Sequence, residues 1–194
     1  PTPTLTATNN SGAVNSNRLK FYGKESAGTG SYAATYLKWD DETYNLQDAL
    51  GDGNDFTLEM FAFLPSARSS NNSQTHHPLV SITDDAQSNG GIMLLIDQST
   101  KRMEFYAANT TQALDTVSPI TGAAAAFVED RWHHIALVRT GNTYTIYLNG
   151  TSYLTGATTN VSVAGRDLTF GQIPGLATVG VYESATQFSG SMNF

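Results

Sequence analysis

One stretch of sequence constrains the fold more than any other: WHHIALVRTGNTYTIYLNG, from Trp132 to Gly150. Apolar and polar residues alternate on both sides of Gly141-Asn142, with the period of two that a β-strand requires. Gly and Asn tolerate the positive φ angles of a two-residue hairpin turn. The stretch therefore predicts two antiparallel strands, residues 132–140 and 143–149, joined by a tight turn.

The same hairpin predicts which side chains share a face of the sheet. With Gly141-Asn142 as the loop, Thr140 lies opposite Thr143, and the other pairs follow one residue at a time. Three pairs are then predicted to face the core: Arg139 with Tyr144, Leu137 with Ile146, and Ile135 with Leu148. Three pairs share the other face: Val138 with Thr145, Ala136 with Tyr147, and His134 with Asn149.

The non-core face of this hairpin carries residues that suit a sugar. A bound sugar needs an aromatic plane for its apolar C–H face and amide or hydroxyl groups for its hydroxyls. His134, Tyr147 and Asn149 supply these groups, and Trp132 lies at the end of the same face. We therefore predict a glycan-binding site at His134, Tyr147 and Asn149. In the alternative interpretation, Trp132 and Tyr147 pack under a covering loop and His134 is an ordinary polar side chain on a sheet.

The rest of the chain contains similar short alternating segments, separated by clusters of Gly, Asn, Asp and Ser. They predict strands over 18–23, 35–39, 55–64, 79–83, 91–97, 102–107, 167–171, 179–182 and 188–194. Residues 1–16 lack apolar periodicity and are predicted to be a linker or N-terminal arm, with one domain over 17–194. The segment ITGAAAAFVEDRW is predicted to be a loop with at most one helical turn.

One of these strands, in DFTLEMFAFLP, is apolar on both faces. Met60 and Ala62 share one face, while Phe61 and Phe63 share the other. The second face of the sheet is therefore predicted to be partly covered.

Composition excludes several classes of function. The formal net charge is −7, with 10 Lys and Arg against 17 Asp and Glu, so nucleic acid and acidic membrane surfaces are not expected partners. No apolar run approaches the roughly 20 residues of a transmembrane helix, and membrane insertion is not expected. The chain has no Cys, which excludes thiol chemistry and leaves stability to burial alone. This composition is typical of extracellular and virion-surface β proteins.

At the hairpin the sequence resembles the laminin-G-like branch (LamG and pentraxin-type domains) of the concanavalin A-like lectin/glucanase superfamily. That branch typically shows W-x-H-h-A-h-V-R-x-G-N-x-x-x-h-Y-h-N-G, where h is apolar, and residues 132–150 match it. Three shorter motifs occur in the family's order: DFTLE at Asp55–Glu59, LTFG at Leu168–Gly171 and FSGSM at Phe188–Met192. The resemblance implies an all-β fold, an antiparallel jelly-roll β-sandwich of two curved sheets. A further D-E-h-R-h strand usually follows, and we expect it to lie outside this chain or to come from a neighbour.

A glycoside hydrolase would need two carboxylates roughly 5 to 9.5 Å apart. The E-x-D-x-x-E strand of the superfamily's glucanases does not occur in the sequence, and Asp55 and Glu59 would lie about 13 Å apart on a strand. The adjacent acids Asp84-Asp85 and Asp40-Asp41-Glu42 are typical of solvated turns. We therefore predict no catalytic residues and no enzyme activity, with glycoside hydrolysis as the less favoured alternative.

No metal ligands and no cofactor are predicted. Laminin-G-like domains often hold Ca²⁺ at the sandwich rim, and the loop ITDDAQSNGG offers oxygen ligands at Asp84, Asp85 and Asn89, so Ca²⁺ stays an open alternative. His76-His77 is predicted to lie in a loop, because adjacent histidines rarely bind one ion and no Cys or nearby acid completes a set.

Two functional hypotheses follow. In the first, the domain is a non-catalytic surface recognition or attachment module, a carbohydrate-binding or adhesion domain of a virion (phage fibre, tail or capsid decoration) or of a cell-surface protein. In the second, it is a purely structural virion assembly domain without a ligand. The expected partners are a glycan or other virion or cell-surface proteins, with homo-oligomers left open, and the expected location is extracellular or on a virion surface.

Overall fold

A computed structural model describes residues 19–21, 37–39, 46–51, 53–66, 76–83, 90–109, 111–112, 114, 117–158, 161–171 and 190–193. Within these ranges the strands are β1 Leu19–Phe21, β2 Leu37–Trp39, β3 Phe56–Phe63, β4 His76–Thr83, β5 Gly91–Asp97, β6 Met103–Ala108, β7 Ile120–Thr121, β8 Trp132–Thr140, β9 Thr143–Leu148, β10 Thr151–Ala157, β11 Asp167–Phe170 and β12 Gly190–Asn193. A short helix, α1, spans Leu46–Leu50.

The strands form two six-stranded antiparallel sheets. The first sheet has the order β1-β12-β3-β8-β9-β10, and the second has the order β2-β11-β4-β5-β6-β7. Strands distant in sequence are neighbours in space, as β12 and β3 are in the first sheet. The predicted all-β, antiparallel jelly-roll sandwich is confirmed.

The hairpin of β8 and β9 has the predicted register. Thr140 pairs with Thr143, and the remaining pairs follow down to Ile135 with Leu148. Gly141 in the turn has a φ of 57°, in the left-handed region where glycine is favoured. A two-residue turn therefore sets the pairing of the two strands from Thr140 back to Ile135.

The main core lies between the inner faces of the two sheets. Ile135 and Ile146 of the first sheet and Leu94 and Phe105 of the second belong to one buried apolar cluster. Burying each of these side chains stabilises the fold by about 1.5–3 kcal/mol. A smaller buried cluster lies on the outer face of the second sheet: Met93, Leu95, Tyr106, Ala108 and Leu114.

Arg139 brings a positive charge to the core face, where it is only 1% exposed. Its Nε donates to the carbonyl of Gly141 at 2.7 Å, and its Nη1 donates to the carbonyl of Gly51 at 2.6 Å. The guanidinium also lies 5.4 Å from the centre of the Tyr144 ring. These contacts compensate the cost of removing the charge from water.

Several elements differ from the sequence-based expectations. β10 was not predicted, because its pairing with β9 is interrupted between Ser152 and Leu154, which breaks the alternation. The helix α1 was not predicted, because a single turn with Leu46 and Leu50 buried is too short for a periodic signal. β4 begins at His76 instead of residue 79, so the expected loop there is wrong.

The remaining expectations concern a loop, two segments outside the described residues and membrane-spanning helices. The predicted loop over 120–132 is confirmed for residues 122–131, whereas Ile120–Thr121 form the unpredicted strand β7. The predicted arm over 1–16 and the predicted strand over 179–182 lie outside the described residues. Within the described part of the chain, no helix has the length and apolar character needed to cross a bilayer.

Candidate functional site

The outer face of the first sheet carries four aromatic rings on two adjacent strands. β3 and β8 pair so that Phe63 lies opposite Trp132 and Phe61 lies opposite His134. The ring centres are 5.7 Å apart in the first pair and 5.0 Å apart in the second. These four residues alternate along their strands with core residues, so they share the face away from the core. We call them the aromatic strip.

Two members of the strip are unusually exposed. Phe61 is 47% exposed and Trp132 is 39% exposed. Together with Asn193 of β12, which pairs with Phe61, they line a shallow depression of about 280 Å³. That volume is just below the range of about 300–1,000 Å³ typical of pockets for drug-sized ligands. The depression therefore suits one ring-sized group lying on the surface.

Polar groups border the strip. The carboxylate Oε2 of Glu59 lies 3.6 Å from Nε2 of His134, and the Glu59 side chain is 63% exposed. Ala136 pairs with Glu59 on one side and with Tyr147 on the other, so these three residues form a row beside the strip. Tyr147 is half-buried. A carboxylate, an imidazole and a phenol thus lie next to the exposed rings.

Asn149 shapes the end of the hairpin beside the strip. Its Oδ1 accepts a hydrogen bond from the backbone N–H of His134 at 3.0 Å, and its Nδ2 donates to Nδ1 of His133 at 3.0 Å. Its φ is 52°, in the left-handed region that Asn tolerates better than most residues. Both ends of the Asn149 amide are therefore engaged within the protein.

His133 lies on the opposite side of β8 from His134 and is 2% exposed. Its ring centre is 4.3 Å from that of Phe127. Nδ1 accepts from Asn149, so Nε2 carries the proton and donates to the carbonyl of Val128 at 2.8 Å. Burial lowers the pKa of His133 below its usual 6.5; the Val128 hydrogen bond opposes this shift, and the charge of Arg131 adds to it. His133 is a neutral, structural histidine.

The structure places the residues predicted to bind a glycan at one end of the first sheet. His134 and Tyr147 are on the outer face, and Asn149 lies in the turn beside them. Phe61 and Asn193 were not predicted as part of this site. Alternation along β3 already put Phe61 on the right face, but its pairing with His134 is a contact between distant segments that the sequence does not specify.

The acids considered from the sequence do not form a pair on β3. Asp55 accepts a hydrogen bond from the N–H of Gly141 at 2.7 Å and so ties the start of β3 to the hairpin turn. Glu59 instead faces His134. Asp40-Asp41-Glu42 and the candidate calcium ligands Asp84, Asp85 and Asn89 lie outside the described residues.

The structure also corrects the expectation that no acid lies near His76 and His77. Strand alternation separates the two rings. His77 is buried, with Nε2 2.5 Å from Oε1 of Gln98. Nε2 of His76 lies 3.7 Å from Oδ2 of Asp97 and 3.5 Å from Oε2 of Glu104. These acids are more than 20 residues away in sequence and come close because β5 and β6 fold back beside β4.

A family model described as the concanavalin A-like lectin/glucanases superfamily matches residues 34–192. The chain belongs to this superfamily. The sequence-based resemblance to the laminin-G-like branch is confirmed, since the match is to a laminin G model of that superfamily. A comparison with curated protein sequences found no match to this chain.

Solved structures show the same fold at low identity. One is the CBM40 domain of the Ruminococcus gnavus IT-sialidase bound to α2,3 sialyllactose, with a TM-score of 0.56, 13% identity, and coverage of 91% of this chain and 89% of that chain. Another is the LG4-5 pair of the mouse laminin α1 chain, with a TM-score of 0.52, 14% identity, and coverage of 91% and 39%. These likenesses concern the fold alone.

Proposed function

We propose that this domain is a non-catalytic recognition module that binds a sugar ring of a glycan on the aromatic strip, at an extracellular or virion surface. The exposure of Phe61 and Trp132, which line the same depression, carries the proposal. Burying a large apolar side chain stabilises a fold by about 1.5–3 kcal/mol, and these two side chains stay largely exposed instead. Clustered apolar exposure with a polar border marks a binding surface.

The chemistry of the strip matches a sugar in two respects. The apolar C–H face of a sugar ring packs against Trp132 and Phe61, and the depression between them has room for one ring. Hydroxyl groups at the ring edge then reach the amide of Asn193, which lines the same depression. Glu59 and Tyr147 lie one row further along the face, where they would contact a neighbouring sugar unit. Asn149 acts indirectly in this proposal, by holding the backbone of His134.

Glu59 and Asp55 support a binding role over hydrolysis. A glycoside hydrolase places two carboxylates on either side of one bond. Asp55 is held at the hairpin turn and Glu59 beside His134, so these two acids serve different neighbours. The sialyllactose bound by the CBM40 domain is consistent with sugar recognition on this fold.

A second candidate function is docking of another protein on the same strip, as in a virion assembly or a homo-oligomer. The same apolar exposure favours it, because aromatic side chains are enriched at the centres of protein interfaces. The two candidates differ in whether the free domain is a monomer that binds glycans or an oligomer that buries the strip.

The test is a glycan array followed by calorimetry on the purified domain. We expect the wild type to bind, and Trp132→Ala and Phe61→Ala each to weaken binding about tenfold or more, which corresponds to about 1.4 kcal/mol. Tyr147→Ala should weaken it less. The control is Val128→Ala, which removes apolar surface from a residue 40% exposed outside the strip.

If a folded Trp132→Ala variant binds glycan as tightly as the wild type, the strip is not the sugar site. A wild type that binds no glycan, but sediments as an oligomer that Trp132→Ala dissociates, would replace glycan binding with the second candidate function.

A further inference from the structure

We propose a divalent metal site on the outer face of the second sheet, formed by His76, Asp97 and Glu104. The three residues come from three adjacent strands. His76 of β4 lies directly opposite Asp97 of β5, while Glu104 of β6 lies opposite Leu95, two residues before Asp97. Because side chains alternate along a strand, the pairing places all three on one face. This is the sheet opposite the aromatic strip, so the site is independent of the proposed glycan binding.

The spacing of the donor atoms fits a small cation. Nε2 of His76 lies 3.7 Å from Oδ2 of Asp97 and 3.5 Å from Oε2 of Glu104. All three donor atoms lie within 4.8 Å of one another. A tetrahedral zinc ion with bonds of about 2.0–2.1 Å separates its ligand atoms by roughly 3.3–3.4 Å. The observed distances thus need to contract by only a few tenths of an ångström on the two edges that meet at His76.

Hydrogen bonds hold the Asp97 carboxylate in a suitable orientation. Its Oδ1 accepts from the backbone N–H and the hydroxyl of both Ser99 and Thr100, at distances of 2.7 to 2.9 Å. These four donors leave Oδ2 directed at His76. The ligand is therefore positioned before an ion arrives, and binding loses little side-chain freedom.

Glu104 is oriented in a similar way. The hydroxyl of Tyr106 donates to its Oε2 at 3.0 Å, and Tyr106 itself packs in the small apolar cluster of this face. Hydrogen-bonded carboxylates of this kind support the ligands of many protein metal sites. Two of the three ligands thus have a supporting second layer of contacts in the fold.

The site is open enough to receive an ion. The side chains of His76, Asp97 and Glu104 are 13%, 18% and 11% exposed, respectively. Water can therefore reach the centre and supply a fourth ligand. One imidazole with two carboxylates suits Zn²⁺ and its neighbours Co²⁺ and Ni²⁺ better than Ca²⁺, which takes six to eight oxygen ligands.

The experiment titrates Zn²⁺ into the chelator-treated 194-residue chain at pH 7.5 and measures binding by calorimetry and stability by thermal unfolding. We expect one ion per chain and a rise in Tm, because the ion binds the folded state. With Co²⁺ we expect the visible absorption of a four-coordinate ion. His76→Gln and Glu104→Gln should each weaken Zn²⁺ binding at least tenfold, and both are close in volume to the native residue, so the fold should persist.

His134→Gln is the matched control, since it makes the same substitution at a partly exposed histidine beside one carboxylate instead of two. It should bind Zn²⁺ like the wild type. The proposal is overturned if His76→Gln binds Zn²⁺ as tightly as the wild type. It is also overturned if saturating Zn²⁺ leaves the NMR signals of the His76 ring unchanged, which would show that Zn²⁺ does not bind at these three residues. Neither result bears on glycan binding by the strip.

Discussion

The chain contains two His-His pairs, one in each sheet, and they have different surroundings. In both pairs the strand directs one ring to the buried side and the other to the opposite face. In the first sheet, His133 is buried and His134 lies among exposed aromatic rings with one carboxylate nearby. In the second sheet, His77 is buried and His76 lies within 3.7 Å of two carboxylates.

The difference comes from the strands on either side. β3 brings Phe61 and Glu59 to His134, whereas β5 and β6 bring Asp97 and Glu104 to His76. The same dipeptide is thus part of a candidate sugar surface in one sheet and of a candidate metal site in the other. A dipeptide motif alone therefore says little about the chemistry of a histidine on a sheet.

The largest expected effect tests whether the buried ring of His133 contributes more to stability than the outward-facing ring of His134. His133→Ala should lower the free energy of unfolding by about 2–4 kcal/mol, because it removes a buried ring against Phe127 and two hydrogen bonds. His134→Ala should cost less than about 1 kcal/mol, since that side chain is partly exposed. Urea denaturation measures both. Equal losses of unfolding free energy in the two variants would contradict this difference between the two rings.

An intermediate effect is expected at Asn149, whose amide bonds the ring of His133 and the backbone N–H of His134. Asn149→Ala should cost about 2 kcal/mol, because it loses both amide hydrogen bonds and places Ala at a positive φ. Asn149→Gly loses the same hydrogen bonds but tolerates that φ, so we expect about half the cost. If both folded variants cost nothing, the amide would be free to bind a ligand instead.

The smallest expected effect is the pH dependence of stability that arises from the buried ring of His133. Burial lowers the pKa of His133 below 6.5, so the unfolded chain takes up a proton before the folded chain does. The contribution to stability is then complete above pH 6.5 and is lost as the pH falls toward the folded pKa. We expect the wild type to lose more stability than His133→Gln between pH 8 and pH 5. Identical profiles from urea denaturation would argue against a neutral, buried His133.

Much of the first sheet followed from local sequence. The alternation in β8 and β9 predicted the core pairs, including Arg139 opposite Tyr144, and the confirmed family motifs predicted the sandwich. The candidate site was predicted in part: His134 and Tyr147 are on the expected face, and their role in binding stays a prediction. Phe61 was missed because its partners come from a strand about 70 residues away.

The sequence by itself determined the register of the β8–β9 hairpin, because a two-residue turn between alternating strands leaves one pairing that buries the apolar set. Only the tertiary structure decided that Phe61 lies beside Trp132, and that Asp97 and Glu104 reach His76. Those contacts depend on which strands become neighbours in each sheet. That choice is made by the packing of the whole sandwich, which no local pattern of residues records.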